Sequence, residues 1–289
     1  MHRRETNMRM RKRLKGILGH TLLNLFMIAA CFLALLPVLY ALSVSLSAGN
    51  SLLSASFSLI PRAVTLQHYG AVFTQQPMLV WFANSAILAI CTVAISLAVA
   101  VPAAYVFSRR RFPGRLAVLR ILLLLYSFPQ VLSMLALYKL LSPLGLVDSR
   151  AGLTFIYTGT MAVFGLWNMK GYFDTIPIEI EEAARMDGCD DMRLVMRIVL
   201  PLARPSVIVT AAMVLVFVWN EYLFAVTFLT GEANYTLAGG LYTMQATEMS
   251  GSWPVFAAAS LLISLPILII FFLAQRHMVS GLTAGGVKG

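Results

Sequence analysis

Tyr172-Phe-Asp-Thr-Ile-Pro-Ile-Glu-Ile-Glu-Glu-Ala-Ala-Arg-Met-Asp-Gly188, continued by Cys189 to Pro201, is a carboxylate-rich interruption in a chain that is apolar on both sides of it. Thr175 is placed to cap a helix, and Pro177 suits a first turn. Glu179, Glu181 and Glu182 crowd the N-terminal half, where the helix dipole favours negative charge. Gly188 can end that helix in a left-handed cap. Asp190 then caps a second helix, with Met192, Val195, Met196 and Val199 on its apolar face and its end near Pro201. The spacing predicts two short helices joined by a tight turn. Ile180, Ala183, Ala184 and Asp187 share one side of the first. Two alanines there let another backbone come close, and Glu182 beside them carries an unpaired charge. A helix resting on lipid headgroups puts Lys or Arg on its polar face and bulky residues opposite. An acidic helix rich in small residues fits a protein partner better.

On either side of this segment the chain requires lipid. Of its 289 residues 59% are hydrophobic and only 12% charged, against about 45–50% and about 25% in soluble domains. Apolar runs near the ~20-residue spanning length recur. The reading is all-α: one polytopic membrane domain over 1–289 with six transmembrane helices. The spans fall at about 22–46, 79–107, 121–137, 153–169, 206–229 and 255–273. A basic N-terminus (1–20) precedes the 22–276 core, a polar loop (the coupling segment below) occupies 171–204, and a tail covers 277–289. The first apolar run is too long for a signal-peptide core and reads as an uncleaved span.

Basic residues orient the chain. Of the 22 lysines and arginines, nineteen fall on the side of both termini, in 1–20, 109–120, 170–204 and the tail. Arg62, Lys139 and Arg150 remain opposite. Both termini are therefore expected to be cytoplasmic. The net charge of +10 is a topology signal and an attraction to lipid headgroups, with no nucleic-acid partner. Cys31, Cys91 and Cys189 are too scattered for disulfides or zinc, and the four histidines show no ligand spacing, so no metal site is expected. No phosphate-binding Gly-x-x-x-x-Gly-Lys-Ser/Thr loop and no catalytic constellation occurs, so the chain is read as a non-enzyme.

Polar residues inside the spans are candidates for a translocation path. Glu221, next to Asn220, is an ionisable group in an apolar run; equally, it could lie at an interface, satisfied by a neighbouring helix. Asn84, Tyr126, Gln130 and Asn168 could bond or stack on a polar solute, or could tie helices together. Pro129 is expected to bend the third span.

Glu182-Ala183-Ala184, Gly188 after three intervening residues, then Ile198, Leu200 and Pro201 resemble the EAA motif of ABC importer permeases, with the spacing complete. Asn84-Ser-Ala-Ile-Leu-Ala, Lys170-Gly-Tyr-Phe173, Tyr235-Thr-Leu-Ala238 and the ending Gly281 to Gly289 look like the carbohydrate-importer branch. The chain is most similar there to the smaller permease of maltose/maltodextrin importers. The resemblance covers essentially the whole chain. It implies a type I importer permease of the bacterial cytoplasmic membrane, acting as a heterodimer with a second permease. Two ATPase subunits holding ATP and Mg, and an extracytoplasmic sugar-binding protein, complete the complex; this chain binds no cofactor itself. The ATPase-coupling residues would be Glu182, Ala183, Ala184, Asp187, Gly188, Ile198, Leu200 and Pro201. By the same resemblance, Gly281, Leu282, Thr283, Ala284, Gly285 and Gly286 form an extended tail between the ATPases. Gln245, Thr247, Glu248 and Ser250 belong to a loop entering the binding protein's cleft. That loop departs from the maltose pattern, which leaves galacto-oligosaccharides or another plant-derived sugar open beside malto-oligosaccharides. A stand-alone secondary transporter is the alternative from another class; it would show repeated halves and several intramembrane ion ligands, where this chain offers Glu221 alone.

Overall fold

A chain surrounded by hydrocarbon has to satisfy its amides within each segment, and helices do this locally. The computed structural model describes residues 2–48, 61, 63–246 and 252–284, with side-chain surroundings for 19–48, 61, 63–245 and 252–275. Among these the regular structure is helical, and the only strand-like pairing is an isolated bridge between Ser47 and Val64. The chain divides into two units, residues 1–72 with 251–261 and residues 73–250 with 262–289.

In the smaller unit, helix α1 (His2–Leu46) runs unbroken from the basic N-terminus into the first apolar stretch, through Pro37. Leu22, Phe26, Ile28 and Leu33 are all more than half exposed, as expected of a lipid-facing rod. Helix α2 (Gln67–Gln75) begins in this unit. Tyr69 and Ser45 share a hydrogen bond of 2.8 Å between their hydroxyls, and the His68 ring lies 2.9 Å from the Ser47 carbonyl.

The larger unit is organised on α3 (Met78–Arg109) and α6 (Arg150–Phe173), its most extensively packed helix pair. Ala100 and Ala104 are fully buried on α3, and their small side chains let the neighbouring helix approach. Between them in sequence lie α4 (Arg115–Ser127) and α5 (Gln130–Leu141). The expected single third span is instead two helices bent by 95°. Pro129 is the cause: it has no N–H to donate and forces Phe128 into extended backbone (φ −69°, ψ 135°). The coupling segment itself holds α7 (Ile178–Met186), α8 (Asp191–Leu194), a π-helical turn at Val195–Val199 and α9 (Leu200–Leu202). Then come α10 (Arg204–Asn220), α11 (Leu223–Phe228), α12 (Leu237–Ala246) and α13 (Trp253–Ala284).

The expected fifth span is also broken. Helix α10 stops where Glu221 turns to extended backbone (φ −72°, ψ 118°), and α11 restarts two residues later. Among the described residues three helices are long and apolar enough to cross a membrane, Gly19–Leu46, Met78–Arg109 and Trp253–Gln275. Two bent pairs, Arg115–Ser127 with Gln130–Leu144 and Asp191–Leu202 with Arg204–Asn220, would raise the number to five. Helix α6, the expected fourth span, is long enough, but Thr154, Thr158, Gly159, Thr160 and Asn168 dilute its hydropathy. It can tolerate them because one whole face, Leu153 to Phe173, is buried in protein.

Two further expectations change. Gly281 to Ala284 continue α13 as helix rather than extended chain. The helix meets no proline after Pro266, and extending an existing helix is far easier than starting one. Gly285 and Gly286, with Thr247, Glu248 and Ser250, lie outside the described residues. Gln245 sits in the last turn of α12, exposed.

Candidate functional site

The polar interruption folds as its residue types dictate. Helix α7 ends in a Schellman cap: the Gly188 N–H donates to the Arg185 carbonyl (3.0 Å) and the Cys189 N–H to the Ala184 carbonyl (3.1 Å). Gly188 holds φ +81°, a conformation costly for any residue with a Cβ. Asp190 caps α8 by accepting from the Arg193 N–H at 2.7 Å. Thr175 does not cap α7. Its hydroxyl donates back to the Tyr172 carbonyl at 2.7 Å, and Pro177 occupies the capping position with no side-chain bond. On the second helix the apolar face also turns out differently. Leu194 and Val199 are buried, with Val195 and Ile198 packed beside them, whereas Met192 and Met196 are more than half exposed.

A small core underlies the segment. Ala184, Leu194, Val199 and Ala203 meet Ala104 and Tyr105 of α3 and Met169 and Phe173 of α6. Of the four residues expected on one docking side, Ala184 is therefore turned inward. Ile180, Ala183 and Asp187 stay exposed, as do Glu182 and Gly188. Met186 is 89% exposed. Ile198 and Leu200 are partly buried, and Pro201 lies exposed where the chain bends 75° into α10.

The residue the sequence did not single out is Glu181. It is 1% exposed, the most deeply buried charged group among the described residues. Arg109 Nε donates to its carboxylate at 2.5 Å and the Tyr105 hydroxyl at 2.9 Å. The same guanidinium donates to the Ile176 carbonyl at 2.9 Å. Removing one partner of such a pair leaves a lone buried charge and costs about 3–5 kcal/mol. Two flanking contacts repeat the pattern, Ser108 to Asp174 and Arg110 to Asp191, each at 2.6 Å. Burial alone would raise the Asp174 carboxyl, but hydrogen bonds from Lys170 and Ser108 outweigh it and hold the group below its ordinary value.

The expected path residues do not converge. Asn84 is 4% exposed and fully engaged. Its amide donates to the Ala233 and Tyr235 carbonyls (2.8 and 2.9 Å), and its oxygen accepts from Arg150 (2.9 Å). Ser85 next to it accepts from the Leu237 N–H at 2.8 Å. The two segments flagged by resemblance, at 84 and 235, are thus partners of each other. Asn168 donates to the Thr210 hydroxyl at 2.7 Å, and Asn220 donates to the Val216 carbonyl of its own helix at 2.8 Å. Glu221 accepts from the Tyr157 hydroxyl and from the Phe224 N–H (2.9 Å), so it is satisfied by a neighbouring helix and by the start of α11. Tyr126, one residue before the end of α4, is exposed. Gln130 alone reaches a groove, of about 400 Å³, with Ser133, Phe155 and Phe224 among its mostly apolar walls.

Residues 96–283 match the family described as binding-protein-dependent transport system inner membrane component. That span holds α6, the coupling segment and most of α13. The chain belongs to this family. The permease is 35% identical over 286 residues to the galactooligosaccharides transport system permease protein GanQ of Bacillus subtilis (strain 168), covering 98% of this chain and 99% of that one. It is 36% identical over 289 residues to the maltose/maltodextrin transport system permease protein MalG of Escherichia coli (strain K12), covering 93% and 95%. Among solved structures, a chain from a bacterial ABC transporter involved in the import of the acidic polysaccharide alginate superposes with a TM-score of 0.76 at 27% identity, covering 91% of this permease and 96% of that chain. The permease is thus a multi-pass protein of the cytoplasmic membrane and an ABC transporter permease.

In this permease the loop opposite the coupling segment is fixed by Asp148, at φ 54°. Its carboxylate accepts from the N–H groups of Thr230 (2.9 Å) and Gly231 (3.1 Å). The bond from Gly231 is the main reason the carboxyl titrates below its ordinary 3.8. A carboxyl held low when folded stabilises above its unfolded pKa, and that contribution is lost as pH falls through the folded one. Asp148→Asn tolerates the left-handed backbone but drops the charge. Hydrogen exchange at the Thr230 and Gly231 amides should speed up about fivefold at pH 7, the factor for about 1 kcal/mol. The difference from wild type should shrink below about pH 4; equal protection at pH 7 would show the charge to be idle.

Proposed function

We propose that the chain is one of two permease subunits of a binding-protein-dependent ABC importer for oligosaccharides, of the maltodextrin type. Six spans cross the membrane: α1, α3, the bent pair α4 and α5, α6, α10 continued by α11, and α13. Both termini are cytoplasmic, in accord with the nineteen basic residues on that side. A second permease completes the path, two ATPases dock on the coupling segments, and an extracytoplasmic binding protein delivers the sugar. ATP hydrolysis takes place in the partner, and Glu182, Ala183 and Gly188 transmit its motion. When the ATPases close, α7 is displaced and the spans rock between inward- and outward-facing states.

The observation that carries this reading is the two-sidedness of α7. Its inner face is sealed by Glu181 and Ala184, whereas its outer face leaves Glu182, Ala183 and the bare Met186 exposed together. A carboxylate beside small and apolar residues suits a cleft with a basic wall. The relatives named for galactooligosaccharides and for maltose/maltodextrin support a neutral oligosaccharide and leave both sugars as substrates to test. Membership of a binding-protein-dependent family speaks against a stand-alone secondary transporter.

Purification of the tagged chain in mild detergent, co-expressed with its neighbouring genes, should recover an ATPase subunit. With the binding protein added in vesicles, maltotriose or a galactotriose should stimulate hydrolysis several-fold. Glu182→Lys should lower ATPase recovery at least tenfold without loss of the chain from the membrane. Wild-type material with no ATPase, or full recovery by Glu182→Lys, would overturn the assignment.

A further inference from the structure

The coupling segment is joined to the spans covalently through α6 and α10, yet its strongest tie lies elsewhere. Three consecutive residues at the cytoplasmic end of α3 each hold a carboxylate of the segment: Ser108 holds Asp174, Arg109 holds Glu181 and Arg110 holds Asp191. These carboxylates sit before α7, on it and after its turn, so the segment is gripped along its whole length. A helix C-terminus favours cations, which places Arg109 and Arg110 well. The outer contact is weak, since Arg110 and Asp191 are 56% and 60% exposed. The central one is different in kind. Arg109 is 10% exposed and Glu181 1%, and the guanidinium also spans to the Ile176 carbonyl just before α7. Arg185, one turn beyond Glu181, lies 3.4 Å from both the Tyr105 hydroxyl and Asp191, closing the ring of charges.

We propose that Arg109 and Glu181 are positioning residues that lock α7 to the end of α3, so that a displacement of the coupling helix enters the membrane through α3 as well as through the two helices that flank the segment in sequence. The geometry suits force transfer. A buried, multiply bonded ion pair has one favoured arrangement and resists both pull and shear, whereas the apolar contacts around it can slide. Helix α3 is also the element most extensively packed against α6 and is joined to the 230–237 loop through Trp81 and Asn84. A shift at Arg109 therefore reaches both ends of the larger unit. Glu181 and Glu182 divide the labour: one faces the spans, the next faces the partner.

This inference rests on the importer reading, and the test separates the two. The full complex is reconstituted in vesicles with its binding protein, and uptake of maltotriose or galactotriose, whichever stimulates the wild type, is measured per ATP hydrolysed. Three variants are compared: Arg109→Lys, Arg109→Met, and Arg109→Met combined with Glu181→Met. The double variant leaves no lone buried charge, so it guards against simple misfolding. Uptake per ATP should fall at least tenfold in Arg109→Met and at least fivefold in the double variant, with ATPase still recovered, and Arg109→Lys should regain at least a third of the wild-type ratio. A wild-type ratio in the double variant would overturn the lock, whether or not Arg109→Met reaches the membrane. Absence of an ATPase from the wild-type complex would instead overturn the importer reading.

Discussion

Gly188→Val is expected to abolish sugar uptake by at least tenfold while the chain remains in the membrane at normal abundance. At φ +81° a β-branched side chain is strained by about 1–3 kcal/mol, whatever space surrounds it. A Cβ there would meet nothing within 4 Å, so the strain is purely that of the backbone. The chain can relieve it by opening the cap, and the bonds from Gly188 to Arg185 and from Cys189 to Ala184 are then lost. The core beneath holds through Leu194 and Val199, so the fold survives while α7 loses its fixed angle to α8. Gly188→Asn is the control, since asparagine enters the left-handed region readily. It should transport within about twofold of wild type. Uptake assays in vesicles, scaled to membrane abundance, decide the matter. Normal uptake by the valine variant would mean that the turn plays no part in coupling.

The second large effect belongs to Gly240, on the opposite side of the larger unit. A Cβ at this position would run into the face of the Trp81 ring, closer than real side-chain atoms approach. The ring cannot step aside easily. It is 1% exposed, its Nε1 donates to the Glu232 carbonyl at 3.1 Å, and Tyr235 lies against it at 6.3 Å between centroids. Overpacking with loss of that hydrogen bond should cost about 3–5 kcal/mol. Gly240→Ala is therefore expected to cut membrane abundance several-fold and to lower the unfolding midpoint in detergent by several degrees. Trp81→Leu in the same chain should recover part of the loss, because the smaller side chain leaves room. An unchanged midpoint in Gly240→Ala would show that α12 can move away from α3 without penalty.

The sequence reading succeeded where one residue type has few alternatives. Gly188, Asp190 and Pro129 each do in the structure what their backbone chemistry suggests, and the family motif could be followed at every fixed position. It failed where two neighbouring residues of the same type split between opposite faces. Glu181 and Glu182 are indistinguishable by composition, and a helix step of one residue turns the side chain by about 100°. Only the position of α3 decides which of them is buried, and that contact spans 72 residues of sequence. The arginine run from Arg109 to Arg111 was legible as a topology signal, which concealed the buried role of Arg109. The polar path residues went the same way. Asn84 reads as a sugar ligand or as interhelical glue, and its three partners lie on a loop about 150 residues distant and at the start of α6. The broken spans escaped notice at Glu221 because no proline or glycine marks the break there.

Glu221 has a mechanical consequence of its own. Where α10 gives way to α11, its carboxylate takes the Phe224 N–H at 2.9 Å and the Ala225 N–H at 3.4 Å, and it takes the Tyr157 hydroxyl of α6 as well. Swivelling the short helix about this elbow would strip the amides of Phe224 and Ala225, both buried, of their acceptor, and a buried amide without one is costly. The elbow is consequently stiff, and the two arms turn together like a bent crank. A rearrangement here is therefore expected to carry α10 and α11 together rather than to flex their joint.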